Sequence, residues 1–398
     1  MRILLLSFYF RPDLSAGSFR ATALADALVE QGRGEVEVDV FTTLPNRYHS
    51  FSVEAPGEES VGSIRIRRFL LPAHQSGMAD QSRAFVSYAR QVFGAVRGRR
   101  YDLVFATSSR LMTAVLGAVV SKRLSVPLYL DIRDIFTDTM QDLLAGRALR
   151  HIIPVFKALE RYTLRSAAKI NIVSGGFEDY FRMLVPGQRF SIFTNGVDDD
   201  FLNVSFVNPK PNPLPIILYA GNVGEGQGLQ HVVPEAARRL EGSAEFLIVG
   251  DGGARKALES ALAKVHVGNA RIEPPVPRPE LLDFYRQADF LFLHLNDCAA
   301  FQKVLPSKIF EYAATGKPIL AGVNGYARKF IEDNVVNAAV FDPCDPTGLI
   351  DAFGSLKPGL VSRCDFVRQF SRARIVSDMA NDILSLLLNS KISNGKPT

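Results

Sequence analysis

FQKVLPSKIFEYAATGKPIL, residues Phe301 to Leu320, reads as a short helix held between two strands. Pro306 and Ser307 suit the first helical positions, Gly316 suits the cap after the last turn, and Pro318 blocks continuation. Apolar Phe290–Leu295 precedes it and apolar Ile319–Val323 follows, each of strand length. A strand, a helix and a strand in that order build a parallel sheet. The first N–H groups of such a helix have no internal partner and carry the positive end of its dipole. Lys308 adds a full charge, so a phosphate fits there. Glu311 stands one turn on, on the same face. A carboxylate repels phosphate but accepts bonds from two sugar hydroxyls. The pair therefore matches a nucleotide, with diphosphate at the helix start and ribose one turn along. A plain surface ion pair, worth ~0.2–0.5 kcal/mol, accounts for the same two residues.

The strand–helix rhythm runs through the whole chain. Strands are expected at Ile3–Tyr9, Val36–Thr42, Ile64–Leu70, Leu103–Thr107, Leu128–Ile132, Lys169–Ser174 and Phe190–Phe193, with helices such as Ser18–Gln31 and Ala79–Val96 between them. It breaks after Asn195-Gly196-Val197, where NPKPNPLP (Asn208–Pro215) is too rich in proline for a sheet interior. It resumes at Ile216–Ala220 and continues to a helix from Pro346. The expected fold is α/β: two doubly wound domains facing across a cleft, the first over 1–197 and the second over 198–370. Residues 371–398 are expected to form a C-terminal helix, able to pack on either domain and assigned back onto the first, followed by a disordered tail. Ligands of such sheets bind beyond the carboxyl ends of the strands.

Composition narrows the class. The chain has 398 residues, 47% hydrophobic and 22% charged, enough for two ordinary globular cores. Three cysteines, Cys298, Cys344 and Cys364, lie far apart, which fits a reducing compartment and no disulfide framework. MRILLLSFYFRPD ends its apolar run at Arg11-Pro12-Asp13 and reads as a buried first strand, not a signal peptide. Leu111–Val120 is too short to span a bilayer. The net charge of +5 permits acidic substrates and demands none, and no aromatic-interleaved basic surface marks a nucleic-acid reader.

PSKIFEY followed by GKPIL resembles the donor-binding motif of the retaining glycosyltransferases of family 4, with the GT-B fold. YAGNVGEGQGL (Tyr219–Leu229), FLIVGDGG (Phe246–Gly253), FTNGVD (Phe193–Asp198) and ALERYTLRSAAKINIVS (Ala158–Ser174) extend the resemblance along nearly the whole chain. The most similar subset assembles bacterial surface polysaccharides. The resemblance implies that Glu311 binds the ribose of a nucleotide-sugar, and that Leu305, Pro306, Ser307 and Lys308 face its diphosphate and sugar. It implies retention of anomeric configuration; no metal is expected, because helix-start amides and lysines supply the countercharge, and the nucleotide-sugar is a substrate, with no cofactor expected. This sequence departs from the family at three places. Lys303 stands where many relatives have a glutamate touching the donor sugar, and Asn222 and Gln227 stand where an Arg and a Lys grip the diphosphate. Lys303 and Lys308 are candidates to replace that charge.

Other motifs carry two readings each. In Gly221–Gly228, Asn222 and Gly224 belong to a glycine-rich turn before a helix, where phosphate approaches backbone; a plain tight turn is the alternative. In PDLSAGSFR, Gly17 and Ser18 open the first helix with Arg20 in its first turn, and the family closes this loop over the donor phosphates; turn chemistry alone explains them too. PLYLDIRDIFTD sets Asp131, Arg133, Asp134 and Asp138 at the end of a buried strand. Asp134 is the candidate that orients an acceptor hydroxyl or takes its proton, against a helix cap or an ion pair with Arg133. Asp131 is expected to bond loop amides. Asp198-Asp199-Asp200 is a linker feature rather than a metal cluster, and His294 a satisfied core histidine. Lys157, Arg161, Arg165 and Lys169 repeat every four residues, as a solvated face or as a dock for anionic lipid.

The function expected is transfer of a hexosyl or N-acetylhexosaminyl group from a nucleotide-sugar to a hydroxyl of a glycan acceptor, carried on polyprenyl diphosphate. Asp134 and Lys308 are the expected catalytic residues, and the expected place is the cytoplasm, peripheral at the inner face of the plasma membrane. An epimerase or phosphorylase on the same architecture, or a non-catalytic two-lobed sugar-binding protein, are the alternatives.

Overall fold

The computed structural model describes residues 1–13, 15–45, 54–72, 78–108, 111–135 and 153–393. They form two compact units, Met1–Asn195 with Arg372–Thr398, and Gly196–Ser371.

The first unit holds β1 (Arg2–Leu6), α1 (Ala16–Gln31), β2 (Glu37–Thr43), β3 (Glu58–Val61), β4 (Ile64–Phe69), α2 (Met78–Ala95), β5 (Leu103–Ser108), α3 (Leu111–Leu124), β6 (Leu128–Ile132), α4 (Ile153–Ser166), β7 (Lys169–Ile172), α5 (Glu178–Leu184) and β8 (Phe190–Ile192). Its sheet runs β3-β4-β2-β1-β5-β6-β7-β8, parallel except for β3, which lies antiparallel on β4. The second unit holds β9 (Ile216–Ala220), α6 (Leu229–Arg239), β10 (Glu245–Val249), α7 (Arg255–Val265), β11 (Ala270–Glu273), α8 (Arg278–Gln287), β12 (Phe290–His294), α9 (Lys308–Thr315), β13 (Ile319–Gly322), α10 (Gly325–Asn334), β14 (Ala338–Phe341), α11 (Pro346–Ser355) and α12 (Cys364–Gln369); α13 (Arg372–Ser393) returns to the first unit. The second sheet is parallel throughout, in the order β11-β10-β9-β12-β13-β14. Both sheets are doubly wound, because buried strands such as IILYA and FLFLH need helices on both faces.

Strand order reverses between β1 and β5 in one sheet and between β9 and β12 in the other. Those reversals leave crevices at the strands' carboxyl ends. The chain loops that follow β9 and β12 therefore meet at one point, and they carry Gly221–Gly228 and the approach to Lys308.

The deciding helix is α9. Its regular turns start at Lys308, with Ser307 already in helical geometry, two residues after Pro306. Gly316 ends it at φ 76°, a left-handed angle that glycine adopts without strain, and a Cβ there would meet the Val361 carbonyl at 2.6 Å. Helix α13 covers α1: Val376, Met379, Ala380 and Ile383 share one core with Leu24, Ala25 and Leu28. Asp382 fastens it by accepting from Tyr129 at 2.8 Å and Ser191 at 3.1 Å, and by pairing with Lys169. Lys169 thus opens strand β7 and is not part of the helical basic stripe. The proline-rich stretch belongs to the second unit, where Asn212 donates to the Asp289 carboxylate and the Gln287 carbonyl. The polar strand EESV, β3, has no sequence signal and forms by pairing its backbone with β4.

Candidate active site

In the second unit, three donors converge on Glu311. Arg278 Nη1 lies 3.0 Å from its Oε1; Tyr285 Oη lies 2.9 Å and Lys308 Nζ 3.1 Å from its Oε2. Glu311 is only 8% exposed. Burial alone would raise its carboxyl, but Lys308 and Arg278 outweigh that and hold it well below the usual carboxylate range. The two residues are not a surface pair. Arg278 is itself anchored, its Nη2 2.8 Å from Asp198, with Asp200 at 3.5 Å. Burial lowers the guanidinium's pKa, and Glu311 with Asp198 more than restores it, leaving a permanent cation. Asp198 and Asp200 therefore serve an arginine. Among the described residues no acidic, His or Cys group forms a metal cluster.

A carboxylate offers about four acceptor positions. Three are filled here, and one on Oε1 remains.

Lys308 also reaches the loop after β9. A Cβ built on Gly221 would stand 2.9 Å from Lys308 Cε and 3.8 Å from Nζ. Gly221, at φ 154°, has no side chain because the lysine stem crosses it. The same loop neutralises its own polar groups. Asn222 Nδ2 donates to Gln227 Oε1 at 2.9 Å, and the Gly224 N–H donates to the same oxygen at 3.2 Å. The two residues in place of the family's cations thus bond each other, and Gly224 is spent on the loop. Leu305 is 3% exposed, its side chain packed in the apolar core with Ile309. Pro306 and Ser307 are half-buried beside Lys308.

His294 braces this loop from below. Its Nδ1 lies 2.5 Å from the Gln227 carbonyl, and Nε2 accepts the Cys344 N–H at 2.9 Å. The ring is neutral with the proton on Nδ1, because the carbonyl needs a donor and the N–H an acceptor. Burial pushes its pKa down to about 4, against the Gln227 bond.

In the first unit, Asp131 is filled by side chains, not loop amides. Arg20 Nε and Nη2 each lie 3.0 Å from its carboxylate, Asn171 Nδ2 2.7 Å and Thr107 Oγ1 3.1 Å. Burial would raise this carboxyl; Arg20 outweighs it and the net shift is downward. Arg20 is therefore structural. Helix α1 starts at Ala16, earlier than Gly17, with Ser15 Oγ accepting the Ser18 N–H at 3.2 Å. Ser18 is 1% exposed and its amide is capped by Ser15. Gly17 lies against the Arg133 guanidinium.

Asp134 makes no hydrogen bond or ion pair among the described residues, and it lines a pocket with Ser108, Leu111, Glu160, Thr163 and Phe181. Its side chain is exposed, yet the protein around it strips water from the carboxyl and pushes it up to about 6, against the pull of Arg133. Asp138 lies outside the described residues.

Sequence reasoning placed Lys308 and Glu311 together but missed Arg278 and Tyr285. Arg278 opens a helix 33 positions earlier, and only strand order brings it to Glu311.

Residues 17–196 match the model of the "Glycosyl transferase 4-like domain", and residues 200–357 that of "Glycosyl transferases group 1". A D-inositol 3-phosphate glycosyltransferase of Xylanimonas cellulosilytica is 27% identical over 221 residues, 53% of this chain and 51% of the relative. The putative colanic acid biosynthesis glycosyl transferase WcaI of Escherichia coli K12 is 34% identical over 106 residues, 27% of this chain and 26% of the relative. The chain thus spans about half the length of one curated relative and about a quarter of the other. The structure of Anabaena HepE in complex with UDP and glucose matches over 100% of both chains, at 15% identity and a TM-score of 0.60. That likeness gives the GT-B fold.

His294 supplies a pH test of the loop brace. A histidine whose folded pKa is lowered contributes stability above its unfolded value of ~6.5, and that contribution is lost as pH falls from there toward 4. Urea unfolding of wild type and His294→Gln should show their stability gap shrinking by roughly 2 kcal/mol between pH 7.5 and 5. A gap independent of pH contradicts the neutral, doubly bonded ring.

Proposed function

The chain belongs to the GT4-like glycosyltransferases of group 1, and we propose that it moves a hexosyl group from a nucleotide-sugar to a glycan hydroxyl with retention. The observation that carries this reading is the convergence of Lys308, Arg278 and Tyr285 on Glu311, with the Lys308 stem laid across Gly221.

The free acceptor position on Glu311 Oε1 takes one ribose hydroxyl. The second requires Lys308 to leave Oε2. A diphosphate arriving at the start of α9 draws Lys308 off the carboxylate, so ribose and phosphate recognition assist one another. The ammonium and the first amides of α9 then face the leaving diphosphate. Charge grows there as the glycosidic bond breaks, and donors already in place lower the barrier. The acceptor enters on the face from which the diphosphate departs, and the diphosphate takes its proton. Asp134 steers the acceptor hydroxyl. A carboxyl near pH 6 is poised to exchange a proton at neutral pH. Lysine and backbone amides supply countercharge without a metal. Binding of UDP by HepE makes a uridine nucleotide the first donor to test. The likeness to WcaI, named for colanic acid biosynthesis, supports an acceptor in polysaccharide assembly, and the carrier we propose for it is polyprenyl diphosphate.

Lys157, Arg161 and Arg165 are exposed along α4, with Tyr162 43% and Val155 66% exposed beside them. Basic and apolar groups on one exposed helix suit the surface of an anionic membrane, where a lipid-linked acceptor resides. No helix of the described residues is long and apolar enough to cross a membrane.

Glu311→Ala should weaken donor binding in calorimetry, and Lys308→Ala should cut turnover of a labelled nucleotide-sugar by about 10²–10³. Wild-type donor affinity in the first, or wild-type turnover in the second, removes that residue from the site. In flotation with phosphatidylglycerol vesicles, the triple variant Lys157→Glu, Arg161→Glu, Arg165→Glu should stay with the soluble fraction. Equal flotation of wild type and variant ends the membrane proposal.

A further inference from the structure

Three consecutive carbonyls of the loop after β9 are tied to the exit of β12. Asn296 Nδ2 donates to the Glu225 carbonyl at 2.9 Å, the Asn296 N–H donates to the Gly226 carbonyl at 2.9 Å, and His294 Nδ1 donates to the Gln227 carbonyl. Asn296 fits closely against the loop, since a Cβ on Gly228 would sit 3.0 Å from its Cγ. Its side chain is itself held. Oδ1 accepts the Asp297 N–H at 2.9 Å and the Cys344 thiol at 3.2 Å, which turns Nδ2 toward Glu225. Cys344 thus serves both ties, its N–H bonded to His294 Nε2 and its Sγ to Asn296.

The loop needs such ties. Residues 221, 224, 226 and 228 are glycine, and an ordered glycine forfeits more backbone freedom than any other residue. Val223 and Leu229 are buried in one apolar core with Val232 and Val233 of α6, which fixes the two ends. The middle, from Gly224 to Gly228, leans on β12. Asn296 governs the opposite wall of the site as well. Its carbonyl accepts the Cys298 N–H at 2.9 Å, just before the 3-10 turn Ala299–Lys303 that leads into α9. Phe301 of that turn closes on the loop, where a Cβ on Gly226 would meet its Cζ at 2.9 Å. One residue therefore fixes the loop after β9, the approach to Lys308 and the gap between them.

We propose that Asn296, held in orientation by Cys344, is a positioning residue for the transfer: it sets the spacing between the glycine-rich loop and the start of α9, so that the donor meets a site already formed. The link to the donor rests on the transferase reading; the brace does not. Preorganisation of this kind acts on affinity, because a loop ordered before binding spares the ligand that cost. It leaves the global fold nearly untouched, since the apolar core holds the ends of the loop.

Calorimetry on the full chain with UDP, GDP and dTDP, beside hydrogen exchange of the free protein, tests the proposal. Asn296→Ala should weaken whichever nucleotide wild type binds about tenfold, and speed exchange of the amides of residues 224–228 by about the same factor, with little change in melting temperature. Cys344→Ala should weaken that nucleotide about threefold, and Cys344→Ser, which keeps a donor to Oδ1, should recover most of the loss. In the Asn296→Ala background, Cys344→Ala should have no further effect, because the thiol acts through the amide. Full affinity in Asn296→Ala overturns the proposal, whether or not its melting temperature falls. So does unchanged exchange in the loop, and so does a Cys344→Ala effect of equal size in both backgrounds. If wild type binds none of these nucleotides while loop exchange still responds to Asn296→Ala, the donor reading fails and the brace stands.

Discussion

A buried carboxylate cannot stay charged unless cations meet it, and Glu311 is met by two. Everything distinctive in the second unit follows from that demand. Arg278 must open α8 where it reaches Oε1, and Asp198 must hold Arg278 from the other side. Lys308 must bend along α9 toward its own i+3 neighbour, and Gly221 must lack a side chain so that the stem passes. The cage fixes the acid's charge and leaves one acceptor position open. In the proposed donor complex a sugar hydroxyl takes that position, and the incoming phosphate competes for one of the cations that hold the cage shut.

The first unit treats its charges differently. Asp131 and Arg20 form a closed pair with no capacity left, fastened to the Phe193 and Thr194 carbonyls. That pair locks α1 to the sheet and holds the start of the helix in place. Among the described residues, Asp134 makes no hydrogen bond or ion pair and Arg133 Nη1 has no hydrogen-bond partner, at the same strand exit. One strand end thus separates a structural ion pair from Asp134, the candidate for acceptor chemistry.

The fold was legible because its strands are continuous apolar runs and its helices are punctuated by proline and glycine. Ile216–Ala220 and Leu128–Ile132 could be read to the residue. Strand β3 could not, since EESV is held by its neighbour's backbone and by nothing in its own side chains. Of the candidate site, Lys308 and Glu311 were legible because they sit one turn apart on a single helix. Arg278 and Tyr285 were not, because contacts set by strand order leave no local pattern. The fates of Ser18 and Asn222 were hidden for a related reason. A serine that caps and an asparagine that pairs within its loop look, in sequence, like residues waiting for a phosphate. His294 was read correctly as a core residue, but its task of tying Gln227 to Cys344 appears only in three dimensions.

The central claim is that the start of α9 holds a diphosphate while Glu311 holds the attached pentose. A crystal structure of the full chain with UDP tests it most directly. The account predicts Lys308 Nζ within hydrogen-bond distance of a phosphate oxygen, withdrawn from Glu311, and both ribose hydroxyls on the Glu311 carboxylate. Nucleotide bound elsewhere, or the Lys308–Glu311 contact unbroken beneath it, would contradict the account.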